Sequence, residues 1–397
     1  MLLLLAIIQL IAISAVSAAI YDVTKYGADH TGKVPSTDPI ARAINDAESH
    51  GEGIVHFPPG EYVTGPIELK SNIILDIPEG TTITFLDDPA LYPPLDVSLP
   101  DGKRRKVDFT PLIRGFGLNN VTIRGNGVIE GNGEIWWDRL PPPATRPIVI
   151  YFYDCQNITL KNITVRNSPM FNVNIGWSDY IVIDGITIRN PESYHGSGPN
   201  TDGINLYSVT KVHVMNVDVA TGDDCLVLDA WGYNKDRVPT HDVLIENSYM
   251  SIGHSGVGIG SITAGGIRNV TIRNCVFDSV CRGVDIRSNN ERGGVVEDIL
   301  YQNLTMRNCT WEGISINLIK DYNDKGRQPI GDQTPFVRNI RYENIRGDAE
   351  REAIYFYGLP EAPIKNVVLE NVDMRSKKPE PILLRNTKNI VINGNRY

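Results

Sequence analysis

One arrangement of apolar and polar positions recurs along most of the chain. It is a nine-residue unit, seen as Asn157–Val165 (NITLKNITV), Tyr180–Ile188 (YIVIDGITI), Lys211–Val219 (KVHVMNVDV) and Asp242–Met250 (DVLIENSYM). Further copies begin at Asn269, Asp298, Asn339, Asn366 and Asn389, and an earlier one spans Asn120–Val128. The second and fourth positions are apolar in every copy, as in Ile158 and Leu160 or Val212 and Val214. Alternation at period two predicts a strand with one buried face. The sixth position is always Asn or Gly: Gly125, Asn162, Gly185, Asn216, Asn247, Asn274, Asn303, Asn344, Asn371 and Gly394. These two types best tolerate a left-handed backbone, so each copy turns a corner there. A second short strand follows, as in Ile163 and Val165. From the copy at Asn157 onward the spacings are 23, 31, 31, 27, 29, 41, 27 and 23 residues, the range of stacked supersecondary units. Strand, bend and strand at coil-sized periods predict an all-β, single-domain parallel β-helix.

The N-terminal part departs from this pattern. Thr37 or Asp38 can cap a helix with Pro39 at its first position, and Ile40, Ile44 and Ala47 line one face. Such a helix would cover the open end of the solenoid. Residues 1–19 are almost wholly apolar and end in small residues, Val16-Ser17-Ala18-Ala19. They read as a signal peptide over 1–18, with the β-helix over 19–397, although a basic leading segment is missing and a membrane anchor is the alternative. No later stretch is long and apolar enough to span a bilayer, so a secreted, extracellular protein with no membrane association after cleavage is expected.

Export sets the context for two further features. The five cysteines, Cys155, Cys225, Cys275, Cys281 and Cys309, have no zinc-like spacing, and their odd number leaves one thiol over from any set of disulfides. Asn-x-Thr sequons at Asn120, Asn157, Asn162, Asn269, Asn303 and Asn308 allow N-glycosylation. All but Asn308 arise from the repeat itself, which gives them a structural explanation. Formal net charge is −9, which argues against a nucleic-acid partner. An acidic protein acting on an anionic polymer would need local Lys or Arg in its cleft. The basic run Lys103–Lys106 lies in a proline-rich connection and reads as a solvated loop, with a polymer contact as the alternative.

A third strand per coil aligns on its apolar pair. Its segments are Thr201–Leu206, Asp223–Leu228, His254–Ile259 and Cys281–Ile286. In this register Asp202, Asp224, Ser255 and Arg282 share one column, and Thr201, Asp223 and His254 share the next. Stacked strands lie about 4.8 Å apart, so three carboxylates and a histidine would fall in one patch. Crowded carboxylates repel, which raises at least one pKa and leaves a protonated acid beside ionised bases. Glycoside hydrolysis needs that combination. A bound cation, as in calcium-dependent pectate lyases, or a solvated Asp ladder would also account for it.

The ordered motifs resemble the polygalacturonase family of glycoside hydrolases. That family is marked by Asn-Thr-Asp, Asp-Asp, Gly-His-Gly and Arg-Ile-Lys. Here the corresponding residues are Asn200-Thr201-Asp202, Asp223-Asp224, Gly253-His254-Ser255 and Asp285-Ile286-Arg287. Similar stretches include Pro58-Pro59-Gly60-Glu61-Tyr62, Gly131-Asn132-Gly133 with Trp136-Trp137, and Asp321-Tyr322-Asn323, so the likeness covers nearly the whole mature chain. The resemblance implies a right-handed parallel β-helix, a pectic polysaccharide as substrate, an inverting reaction without metal or cofactor, and a monomer. It implies Asp223 as general acid, Asp202 and Asp224 as the residues that position and deprotonate water, His254 as tuner of the acid, and Asn200, Arg282, Asp285, Arg287 and Tyr322 at the substrate.

Three departures bear on the substrate. Asp285 stands where the family has arginine and Arg287 where it has lysine. By strand alternation both point outward, as do Asn205 and Tyr207 three coils earlier. An Asp there is expected to repel a galacturonate carboxylate. Arg282 or Arg292 would then supply the missing cation, the sugar would be neutral or substituted as in rhamnogalacturonan, or the protein would bind pectin without cutting it. Ser255 replaces the usual glycine. Cys225 lacks a partner in Met250-Ser251 and is expected to be unpaired and buried. The insertion Ser193–Pro199, with His195, could close one end of a cleft and favour attack from chain ends, or be an unrelated surface loop.

Overall fold

The computed structural model describes residues 18–98, 104–137, 146–190, 198–232, 238–319 and 326–397. The signal-peptide segment, the insertion through residue 197, and Tyr322 lie outside the described residues, as does part of the Lys103–Lys106 run.

The chain winds as a right-handed parallel β-helix. One face is an eleven-stranded parallel sheet in simple sequence order. Its strands are β1 (Ile67–Glu68), β2 (Ile113–Phe116), β3 (Ile150–Tyr153), β4 (Val173–Gly176) and β5 (Ile204–Tyr207). They continue as β6 (Leu226–Asp229), β7 (Ser255–Ile259), β8 (Arg282–Arg287), β9 (Ile314–Asn317), β10 (Ile354–Tyr357) and β11 (Ile382–Arg385). The nine-residue units form the other, larger sheet, for example Gln156–Lys161 with Thr164–Arg166 beneath Asp179–Asp184 with Thr187–Arg189. Its coils stack in parallel, and the antiparallel pairing of Asn395–Arg396 closes the end.

Every sixth-position Asn or Gly takes a positive φ, from 52° at Asn162 to 126° at Gly125. The first position does so too, with Asn157 at 56°, Tyr180 at 59° and Lys211 at 55°. Strand pairing skips that residue: Gln156 pairs with Asp179 and Ile158 with Ile181. A left-handed kink therefore opens each unit as another closes it. Eight of the ten copies carry Asn or Asp there, side chains that tolerate this backbone, with Tyr180 and Lys211 the exceptions.

The asparagines also bond along the solenoid. Asn344 donates to Asn303 (2.9 Å), Asn303 to Asn274 (3.1 Å) and Asn274 to Asn247 (3.2 Å). A parallel ladder runs from Asn389 through Asn366 and Asn339 to Asp298. Among the sequon positions, Asn303 lies in the first of these ladders, and Asn120, Asn157 and Asn269 donate likewise to Asn72, Asn119 and Asp242, a structural use independent of glycans.

Inward-facing Ile, Val and Leu fill one continuous core, joined by Tyr301 and Tyr342 stacked at 4.8 Å. Each such aliphatic side chain contributes roughly 1.5–3 kcal/mol through burial. Helix α1 (Thr37–Ser49) buries Ile40, Ala43, Ile44 and Ala47 on the N-terminal strands. Its start differs from expectation. Ser36 precedes the helix without a side-chain capping bond, and Pro39 is the third helical residue. The hydroxyls that could cap it are used on neighbouring backbone instead: Thr37 Oγ1 accepts from Gly65 N (2.7 Å) and Ser36 Oγ from Asp29 N (2.9 Å). All five cysteines are thiols, four of them buried, including Cys225.

Candidate active site

The strand register brings the carboxylates together. Ile204 pairs with Leu226 and Leu226 with Val257, which sets Asp202, Asp224 and Ser255 side by side just before β5, β6 and at the start of β7. Ser255 pairs with Arg282 in the next coil. The turns entering these strands are tied down by buried polar contacts. Thr201 Oγ1 donates to Gly198 O (2.7 Å) and accepts from Gly222 N (3.2 Å), and Asn190 Nδ2 donates to Thr221 Oγ1 (2.9 Å). The backbones bearing Asp202 and Asp223 are thereby fixed.

One carboxylate oxygen from each of Asp202, Asp223 and Asp224 lies within 4.8 Å of the other two. Their surroundings differ. Asp202 is buried, and its carboxyl is pushed well above the ordinary range by burial first, then by Asp223 and Asp224, with Arg287 opposing. Asp224 accepts from Ser255 Oγ (2.5 Å) and from both terminal nitrogens of Arg287, with Nη1 at 3.2 Å from Oδ1 and Nη2 on Oδ2. Asp223 is the most exposed of the three. Its Oδ1 accepts from the Asp224 backbone N (2.9 Å) and lies 3.0 Å from His254 Nδ1. That contact raises the His254 pKa.

These groups lie in a cleft of about 550 Å³ on the outer face of the eleven-stranded sheet. Sequence reasoning missed several of its walls. Arg146, buried and donating to Pro199 O (2.5 Å) and Asn200 Oδ1 (3.3 Å), comes from a proline-rich stretch of sequence, residues 141–147. Tyr151, Tyr207 and Trp231 form an aromatic flank, with the Tyr151 and Tyr207 hydroxyls 2.8 Å apart. Val97 and Val107 of the hairpin Leu95–Ser98/Arg104–Val107 pack on that flank, and Val107 also lines the cleft. Outward alternation at Tyr207 was the one available signal for these residues.

The remaining candidates divide. Asn200 and Arg287 line the cleft. Arg282 turns to Glu312 (2.8 Å) and packs over Trp311, with its guanidinium 4.5 Å from the ring centre. Asp285 points outward from β8 but is 1% exposed. Its Oδ2 accepts from Arg287 Nη1 at 3.2 Å. The anion expected to repel the substrate is therefore matched by a guanidinium, because the two outward side chains of one strand lie close enough to pair.

The sequence profile of glycosyl hydrolases family 28 matches residues 63–391. The chain belongs to this family. Among family 28 relatives, a probable polygalacturonase of Vitis vinifera is 28% identical over 91% of this chain and 75% of its own length. A polygalacturonase of Prunus persica is 28% identical over 90% of this chain and 87% of its own. Among solved structures, the exopolygalacturonase of Thermotoga maritima superposes with a TM-score of 0.81 at 26% identity, covering 95% of this chain and 92% of that one. The fold is also shared, at 14% identity and a TM-score of 0.60, by PfbA, a surface adhesin of Streptococcus pneumoniae. Within family 28 the enzyme class follows from sequence; the β-helix alone does not confer it.

Proposed function

We propose that this family 28 glycoside hydrolase is secreted and cleaves α-1,4 galacturonosyl-type linkages in pectin with inversion, acting from chain ends. The cluster of Asp202, Asp223 and Asp224 beside His254 on the cleft floor carries the reading. Asp223, the most exposed carboxyl, gives its proton to the leaving glycosidic oxygen as the C1–O bond breaks. Water attacks C1 from the opposite face and loses its proton to the Asp202–Asp224 pair. The upward-shifted Asp202 is suited to keep that proton, which returns to Asp223 before the next turnover.

The bonding around Asp224 favours water as the nucleophile. Both Asp224 oxygens already accept hydrogen bonds from Arg287 and Ser255, whereas Asp202, ionised before each turnover, has the raised basicity to take the proton of water. NMR of the first-formed product decides the point: a β anomer from an α linkage supports inversion, and an α anomer refutes it.

The likeness to the exopolygalacturonase of Thermotoga maritima supports exo action, which predicts monomer or a fixed short oligomer as the first product. The three carboxylates also form a donor set suited to a divalent cation. Arg287 already supplies a positive charge there, which favours the metal-free hydrolase. The deciding assay incubates the mature protein with polygalacturonate and with rhamnogalacturonan, plus chelator, and measures new reducing ends. Release from either substrate, falling about 10²–10⁴-fold in Asp223→Asn, is expected. No release with binding retained would make the protein a pectin binder instead.

A further inference from the structure

We infer that Asp285 is a positioning residue, which anchors Arg287 so that its guanidinium reaches across one coil and holds Asp224 in its catalytic orientation. The inference rests on the hydrolase reading above.

Arg287 lies on β8, whereas Asp224 immediately precedes β6. The strand between them, β7, presents Gly258 opposite Asp285. A Cβ at Gly258 would lie 3.4 Å from Arg287 Nη2 and 2.9 Å from Ser255 Oγ. The bare backbone there gives the guanidinium its route. At the far end Arg287 makes a two-pronged contact with Asp224, and Ser255 adds a third bond. At the near end Nη1 also bonds Asp285 Oδ2 (3.2 Å).

A long arginine needs such an anchor. Its side chain has several rotatable bonds, and an unanchored head would lose its single orientation. The arrangement is buried throughout: Asp285 is 1% and Arg287 6% exposed. Asp285 Oδ1 and the neighbouring Ser315 Oγ find no hydrogen-bond partner among the described residues, and the two residues pair in register. A buried carboxylate with an unmet oxygen is costly for stability alone, so the guanidinium contact is the feature that accounts for it. Because Arg287 is held by two carboxylates, it acts on the substrate through Asp224 rather than as a loose cation.

The test compares Asp285→Ala, which removes the anchor, with Asp285→Asn, which keeps an acceptor of the same shape. In crystal structures of the two variants, Arg287 should leave Asp224 in the first and stay in the second. On the best pectic substrate, kcat of Asp285→Ala should fall about 10–100-fold with KM within about twofold, as misorientation of a reacting group predicts. Asp285→Asn should recover most of that loss. Arg287 remaining two-pronged on Asp224 in Asp285→Ala, or a loss confined to KM, would overturn the inference. Asp285→Ser carries the same comparison if the alanine variant does not fold. The crystallographic arm stands whether or not the wild-type protein turns over pectin, so failure of the hydrolase reading and failure of the anchor remain separate results.

Discussion

Replacing Asp202 with asparagine should stabilise the protein while removing its activity. The argument is one of linkage. Burial, Asp223 and Asp224 together raise the folded-state pKa of Asp202 well above the ordinary aspartate range, and Arg287 only partly offsets them. Between the unfolded and folded pKa values, the folded protein holds a proton that the unfolded chain has released. Unfolding free energy therefore falls with rising pH across this window, by about 1.4 kcal/mol per unit for the one group. Below the window Asp202 is protonated in both states and contributes nothing. Above it, the full cost of a buried, repelled carboxylate has accumulated. Asparagine has nearly the same shape and no proton to lose, so the slope vanishes. Unfolding should be followed in denaturant at half-unit steps from pH 3.5 to 8 for both proteins. The stability difference should be smallest at the acid end and grow in favour of Asp202→Asn as pH rises, then level off. A pH-independent difference, or one favouring the wild type increasingly at neutral pH, would refute the assigned electrostatics. Reducing-end release in the same variant should fall about 10²–10⁴-fold, the usual loss for a group that handles the proton.

Arg287→Met keeps much of the side-chain volume but leaves buried Asp224 and Asp285 without their cation; it should cost about 3–5 kcal/mol in denaturant unfolding at neutral pH, and a loss under 1 kcal/mol would contradict the ion-pair geometry. His254 has a raised pKa through its contact with Asp223, so it stays charged to higher pH than an ordinary histidine and activity should decline as pH rises through that folded value; in His254→Gln the alkaline limb of kcat/KM assigned to it should disappear. Asn303 sits mid-ladder with φ 54°, donating to Asn274 and accepting from Asn344. Asn303→Ala should lose about 2–4 kcal/mol in a thermal or denaturant melt, from two hydrogen bonds and a left-handed alanine, and Asn303→Gly should recover the conformational part.

The amino-acid sequence by itself determined the solenoid. Its information is local: apolar residues at alternate positions set each buried face, and Asn or Gly at the sixth position sets each bend. Because successive coils stack at a constant spacing, aligning Ile204, Leu226, Val257 and Val284 was enough to place Asp202, Asp224, Ser255 and Arg282 in one column. The first-position kink was legible only in part, since Asn or Asp fills it in eight of ten copies but Tyr180 and Lys211 break the pattern. Side-chain reach was also decided only by the tertiary structure. The partners of Arg287 lie 63 residues away at Asp224 and two residues away at Asp285, across a strand that happens to offer glycine. Arg146 enters the site from a connection with no repeat to register it. Alternation gives the direction in which Asp285 points, but the sign of its effect depends on the guanidinium that meets it, and that meeting exists only in three dimensions.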